Sequence, residues 1–439
     1  MRASRYMASA ALLLCCGQQA AAADLGGDCC ADLEERVAEL EATAARKGNR
    51  RVSLTVSGHV NEALLFWDDG EESNTYIITN ETSRTRFRFV GQAKIDANWS
   101  AGYLMEIGVR AARQNRVTQN SDDANTGFDI RHSAWWLQNK QLGKLWLGQT
   151  SQATDDITQI NLANVRHVAT NRLGQWIGSD GGGFFLRKPD GSLSTLQWGD
   201  IVGQGPGSNA TPGEGDRWNL VKYESPAFAG FTFSASWGED DLWDVALRYA
   251  GEFGGFKISG GAGYESATET ERRCAQTAGG HDDCQSLGLS GSVMHIESGL
   301  YVHGAYGVKW DDGRKALYGG PVEDEDRFWY AQAGVERTFV PLGKTTVYGE
   351  YRRDDVGAHP ALLSFADLGG PGARLAGAGI DVWGAGVNQA IDAAAADIYV
   401  AYRKFDAGVL TSASGLTTGA RDTDIETVHM VMSGLMIRF

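Results

Sequence analysis

Arg84, Arg86 and Arg88 take every second position of the stretch TSRTRFRFVGQAKI (82–95), with Thr85, Phe87 and Phe89 between them. Alternate side chains of a β-strand point to opposite faces, so this segment carries one cationic face and one aromatic face. A row of guanidinium groups stays charged and cannot shuttle protons. Its chemistry is electrostatic: its field can sort ions and orient dipolar solutes. Residues capable of making bonds form no comparable pattern. None of the eight histidines sits in a nucleophile–base constellation. GLSGS (288–292) lacks the G-x-S-x-G spacing, and GQGPGS and GSDGGG lack the strand–turn–helix setting of a phosphate loop. His281, Asp282, Asp283 and Cys284 are consecutive, and such neighbours rarely converge on one ion. The expectation is no catalytic residue, no metal site, no cofactor and no enzyme.

The elements that must carry the arginines follow from the period of the sequence. From Val52 onward it reads as strands of roughly ten residues, beginning with VSLTVSGHVNEALLFW, SRTRFRFVGQAKID, SAGYLMEIGVRAAR and FDIRHSAWWLQN. Short joints (ANWS, KQLGK, SPAFAG, EFGG, ESG, VPLG, DAA) alternate with longer loops at 68–81, 114–126, 150–215, 267–283, 311–324, 356–377 and 406–422. Sixteen candidate strands end at Phe439. The reading is all-β: a sixteen-stranded antiparallel transmembrane β-barrel, closed so that no strand edge meets lipid. Aromatic residues recurring near strand ends suit the two lipid interfaces. The same alternation points Glu106, Arg110, Asp129, Arg131, Lys222, Arg248, Glu350 and Arg352 inward. A charge on the lipid face would cost roughly 2–4 kcal/mol at mid-membrane.

Composition agrees. The chain has 439 residues, 57 glycines, 8 prolines and a mean hydropathy of −0.29, as amphipathic strands give on average. A net charge of −15 offers no basic footprint for nucleic acid. The acids cluster at 68–73, 238–241, 281–283 and 323–326, either as solvated loop tips or as cation-bridged contacts to lipid phosphates. Residues 1–23 read as a secretory signal peptide: Arg2 and Arg5, an apolar run, then small residues. Export permits disulfides, and Cys274 and Cys284, which bracket a polar loop, are expected to pair. Within 24–49, Cys30, Leu33, Val37, Leu40 and Ala44 follow a 3–4–3–4 spacing, the seam of a short periplasmic coiled coil. The barrel domain is 50–439.

The stretch CADLEERVAELEATAARKGNRRVSLTVSGHVNEALLFWDDG resembles the start of the porins of alphaproteobacteria, of the rhizobial and Brucella type, and the likeness runs more loosely to the C-terminal LMIRF. The resemblance implies a homotrimer of outer-membrane barrels in contact with membrane lipids and lipopolysaccharide. Each barrel passes small hydrophilic solutes and ions by diffusion. It also implies that loop 150–215 bends inward as a constriction. The expected pore lining is Arg84, Arg86, Arg88, Arg110 and Arg131, with Asp155 and Asp156 of the loop opposite, giving a transverse field. The helix would then fix the trimer or reach the peptidoglycan layer. The alternative is a barrel used as a structural anchor or adhesin; ion conductance separates the two.

Overall fold

The computed structural model describes residues 51–439 except 124–125, 180, 204–210, 239–240, 269–273, 275, 278–279, 282–283, 315–323, 358–367, 369–373 and 413–419. The expected signal segment and the helix with its Cys30, Leu33, Val37, Leu40 and Ala44 seam lie outside the described residues.

The strands in chain order are β1 (Ser53–Asp68), β2 (Ser73–Thr79), β3 (Arg86–Lys94), β4 (Trp99–Arg110), β5 (Gly127–Asn139), β6 (Gly143–Ser151), β7 (Phe185–Arg187), β8 (Leu193–Gln197), β9 (Arg217–Glu224), β10 (Phe231–Gly238), β11 (Trp243–Phe253), β12 (Phe256–Ala267), β13 (Gln276–Thr277), β14 (Gly280–His281), β15 (Cys284–His295), β16 (Leu300–Asp311), β17 (Glu325–Val340), β18 (Gly343–Gly357), β19 (Arg374–Ile391), β20 (Ala396–Ser412) and β21 (Ala420–Arg438). Seventeen of them form one sheet, and each pairs antiparallel with its neighbours. β21 pairs with β1, from His59↔Arg438 to Asp68↔His429, so the sheet closes into a barrel. β2 and β3 share one place in the wall. β2 pairs with the second half of β1 and β3 with the first, which leaves sixteen wall positions.

Here the structure corrects the sequence reading. Segment 68–81 is not all loop, because Ser73–Thr79 pairs with Glu62–Asp68. The interruption falls instead at 80–85, where a 3-10 turn at Glu81–Ser83 is folded into the wall and Asn80 caps it. Arg84 therefore precedes the strand that carries Arg86 and Arg88. β17–β21 run to 15–19 residues rather than ten. A tilted span of the bilayer needs about 9–11, so these strands continue past the membrane and take up parts of what the sequence assigned to loops 356–377 and 406–422.

Outward positions are apolar: Leu54, Val56, Val60, Leu64 and Phe66 on β1, Phe231 and Phe233 on β10, Leu300 and Val302 on β16. Inward positions split into two kinds. On β1, β2 and β19–β21 they too are mostly apolar, including Leu65, Trp67, Ile78, Ile380, Val382, Phe405, Met430 and Met432. They pack against Val165, Val168, Leu173, Trp176, Ile177, Phe184, Leu186, Trp198 and Ile201 from the segment after β6. Each large side chain so buried contributes about 1.5–3 kcal/mol. The core of this barrel lies inside it, on one side. Elsewhere, on β3–β5 and β9, the inward face is charged.

Candidate functional site

The segment 152–216 enters the lumen at Asp156, whose φ of 64° is left-handed, a conformation Asp tolerates. It is pinned along its length. The Thr154 amide donates to Asp244 at 2.6 Å, the Asn164 amide to Glu336 at 2.7 Å, and Asn164 Nδ2 to Asp397 at 2.9 Å. Arg403 and Arg352 donate to the carbonyls of Thr170 and Asn171. Its return crosses β15 backbone against backbone: a Cβ on Gly288 would collide with the Gly213 carbonyl, so only glycine fits there. The segment is a fixed partition that fills one side of the barrel. Glu350 and Arg352, inward as expected, serve it: Glu350 takes Arg403 Nε at 2.6 Å, and Arg352 donates to the partition and to Asp354.

What remains open is a cavity of about 790 Å³ between the partition and the β3–β5 wall. Glu106 on β4 is almost fully buried and gathers three arginines: Arg131 Nε at 2.6 Å, Arg88 Nε at 2.7 Å and Arg86 Nη1 at 3.4 Å. Register explains this. Arg88 lies opposite Glu106, and Glu106 lies opposite His132, after which a bulge between β4 and β5 leaves Arg131 as an extra residue. A bulge re-aims a side chain, and here Arg131 and His132 both line the cavity, while Ile130 between them and Asp129 is exposed. A second carboxylate, Glu81 in the wall's interruption, takes Arg84 at 2.9 Å, Arg110 at 3.1 Å and Arg113 at 3.5 Å. Asp129 shares Arg84 at 2.7 Å and Arg110 at 3.4 Å.

The partition's own charges form the third group. Arg172 bridges Asp155 at 3.1 Å, Asp156 at 2.9 Å and Glu214 at 2.9 Å. Arg217 adds 3.2 Å to Asp155, and Arg166 pairs with Asp156. The three carboxylates stand within 4.8 Å of one another, close enough to share a cation, and the guanidinium of Arg172 is that cation. Burial alone would push the Asp156 carboxyl up, yet Arg166, Arg172 and Arg217 hold it far below the usual carboxylate range. Burial would likewise lower Arg172, but Glu214, Asp156 and Asp155 raise it.

Of the expected lining residues, Arg84, Arg86, Arg88, Arg110, Arg131 and Asp156 do line one cavity. Asp155 does not: its side chain is buried and lines an adjoining cavity of about 480 Å³ with Lys144, Lys222 and Arg248. The acidic edge expected opposite the ladder is thus already neutralised by arginine. The sequence does not single out Arg113, Arg166, Arg172 and Glu81, which stand in no strand alternation, or Arg217, which opens β9 out of phase with the inward Lys222. Cys274 and Cys284 are bonded to each other, with Cα atoms 5.4 Å apart. His281 has a described backbone only, and Asp282 and Asp283 lie outside the described residues.

Residues 8–430 match the family described as Gram-negative porin. No curated protein is significantly similar in sequence. Among solved structures the chain is similar in fold to the anion-selective porin from Comamonas acidovorans, with a TM-score of 0.55 and 15% identity over 88% of this chain and 100% of that one. It is also similar to a trimer form of OmpT from Vibrio cholerae (0.51, 13%, 88% and 99%). Salmonella typhi OmpF, in complex with daunomycin, is a further match (0.50, 13%, 88% and 97%). At these identities the likeness is one of fold.

Proposed function

From the premise that this chain belongs to the Gram-negative porin family, and so forms a general diffusion channel across the outer membrane as a multi-pass β-barrel, we propose that its passage favours small anions. The family and fold are those of a channel rather than an enzyme. One observation carries the anion preference: ten arginines line the cavity beside the partition, and arginine stays in excess of carboxylate even when Asp155, Glu214 and Asp397, which pair with Arg172, Arg217 and Arg438 behind the lining, are counted with the five acids that line it. The surplus sits in a confined passage with low-dielectric walls, where charge of one sign concentrates counter-ions. Anions would enter along Arg84, Arg86 and Arg88, pass Asp156, and leave past Lys144 and Lys222. Replacing Arg86 and Arg88 together by Ser should enlarge the conductance. It should also cut the anion-to-cation permeability ratio roughly tenfold, the effect of about 1.4 kcal/mol of lost attraction. Reversal potentials in a potassium chloride gradient measure this; an unchanged ratio refutes the assignment.

The same reading makes the unit a homotrimer, of the alphaproteobacterial kind that the 30–70 stretch resembles. Glu62 supports a protein contact at β1. Its neighbours on the outward face, Val60 and Leu64, are exposed and apolar. A carboxylate among them would cost roughly 2–4 kcal/mol against lipid, and less against a neighbouring subunit. Thr85 Oγ1 donates to it at 2.8 Å.

A further inference from the structure

The adjoining cavity of about 480 Å³ holds its charges differently from the main one. It lies at the short-turn end of the barrel, lined by Lys140 before β6 and by Ser225 and Pro226 after β9. Short turns mark the periplasmic side. In the main cavity all ten arginines are ion-paired with carboxylates. Here two cations are held in place without one. Arg248 on β11 donates Nη1 to the Ser234 hydroxyl at 3.3 Å and Nη2 to the Asp155 carbonyl at 2.9 Å. Lys144 on β6 stands over the rings of Trp146 and Trp136, 3.8 Å and 4.5 Å from their centroids. Among the described residues neither is ion-paired with a carboxylate. Glu224 is taken by Lys222 at 2.9 Å and by Trp146 Nε1 at 3.0 Å. Asp155 and Asp156 are taken by Arg172, Arg217 and Arg166. A hydroxyl, a carbonyl and two indole faces fix the position of a cation and leave its charge uncancelled.

We infer that this cavity is a binding station for sugar acids, small solutes that carry one carboxylate on a polyhydroxylated frame. The inference rests on the reading of the channel as anion-favouring and names the class of anion that it retains. Lys144 and Arg248 stand three strands apart, about 14 Å across the wall. Their long side chains line one cavity, so a single solute between them meets both. A guanidinium has five N–H donors, and two of those on Arg248 are committed. The remainder suits one planar carboxylate, held as a fork. A tetrahedral phosphate dianion fits less well, because it brings a second negative charge to a space that Glu224, Asp155 and Asp156 also line. The rest of the lining suits hydroxyls. Gln138, Ser225 and Thr232 offer amide and hydroxyl partners, and the Lys144 ammonium donates to a ring or hydroxyl oxygen. Chloride and acetate use the charge alone, and a neutral sugar uses the polar lining alone.

The test records single-channel chloride currents of the full protein in a planar lipid bilayer, with glucuronate added to either side. Binding at the station should interrupt the current in a saturable way. The half-blocking concentration should lie about tenfold below that of glucose, acetate or glucose 6-phosphate. Arg248→Lys keeps the charge and loses the fork. It should raise the half-blocking concentration about tenfold and leave the reversal potential in a potassium chloride gradient unchanged. Lys144→Gln combined with Arg248→Gln should abolish the preference for glucuronate over glucose. Lys404→Gln, outward on β20, should change neither readout. Arg86→Ser with Arg88→Ser should lower the anion-to-cation ratio and keep the half-blocking concentration, so the station and the anion preference of the passage fail separately. Interruptions by glucuronate no stronger than those by equimolar acetate or glucose overturn the inference in the parent alone. Stronger interruption by glucose 6-phosphate overturns the choice of a carboxylate. A half-blocking concentration that Arg248→Lys and the double substitution both leave unchanged overturns the placement of the site.

Discussion

Arg172 holds three carboxylates that would otherwise repel one another inside the barrel. Removing one partner of a buried ionic group typically costs 3–5 kcal/mol, because the remainder stays buried and unpaired. Arg172→Met should therefore loosen the partition by about that amount, visible as a lower unfolding temperature and noisier single-channel currents. The pH dependence should shift. In the parent, Asp156 is held below its ordinary value, so its contribution is present above about pH 4 and is lost only as pH falls through the depressed folded value, while burial already raises Glu214. Without Arg172, Glu214 loses its guanidinium partner and is raised further, while Arg166 and Arg217 still hold Asp156 down. The variant then regains stability as pH falls from 7 toward 4, where the folded form binds more protons than the unfolded. A melting series over pH 4–7 checks this; parallel curves for parent and variant contradict the assignment of Arg172 as the bridging cation.

At the scale of elements, alternation predicted the inner and outer faces of β3 and β4 correctly but missed two local devices. The inward turn at 80–85 and the bulge at Arg131 each break the period of two by a few residues. Glu81 and His132 reach the cavity because of those breaks, while Arg131 keeps the inward side that alternation with Asp129 gave it. Strand-period reasoning sees such residues as loop or as misplaced, since the interruption is stabilised by contacts far away, such as Asn80 Nδ2 to the hydroxyl of Tyr399 at 2.8 Å. The disulfide closes a ten-residue separation at the long-loop end of β15. For such a loop the chain-entropy estimate is about 3 kcal/mol, acting on the loop alone. Replacing Cys274 and Cys284 by Ser should speed proteolytic nicking between them while the barrel and its conductance persist. Free thiols at both positions in exported protein would refute the pairing.

For the whole molecule, the proposed trimer and the helix expected from the sequence at 24–49 would belong together. The Leu33, Val37, Leu40 and Ala44 seam spans about two heptads, too short to associate unaided in water. Three barrels fixed side by side would hold three helices at high effective concentration, so a weak seam forms. Deleting residues 29–47 should leave conductance intact and lower the trimer's resistance to heat and detergent. A truncated protein as resistant as the parent makes the helix a monomeric appendage.

The sequence by itself determined the closed sheet, the short and long ends, and the cationic inner face at Arg84–Arg88. All of these follow from a period of two and from the cost of charge in lipid. It did not determine what fills the barrel. The inner faces of β19 and β21 are nearly as apolar as their outer faces, and alternation has nothing to say about a strand buried on both sides. Only the tertiary structure pairs Ile380, Phe405 and Met430 with the partition, and so leaves the open cavity beside the arginines. The same holds for the charges. Which carboxylate each arginine meets depends on where the segment 152–216 lies across the lumen, and that path is set by contacts hundreds of residues apart in the chain, such as Asn164 with Asp397.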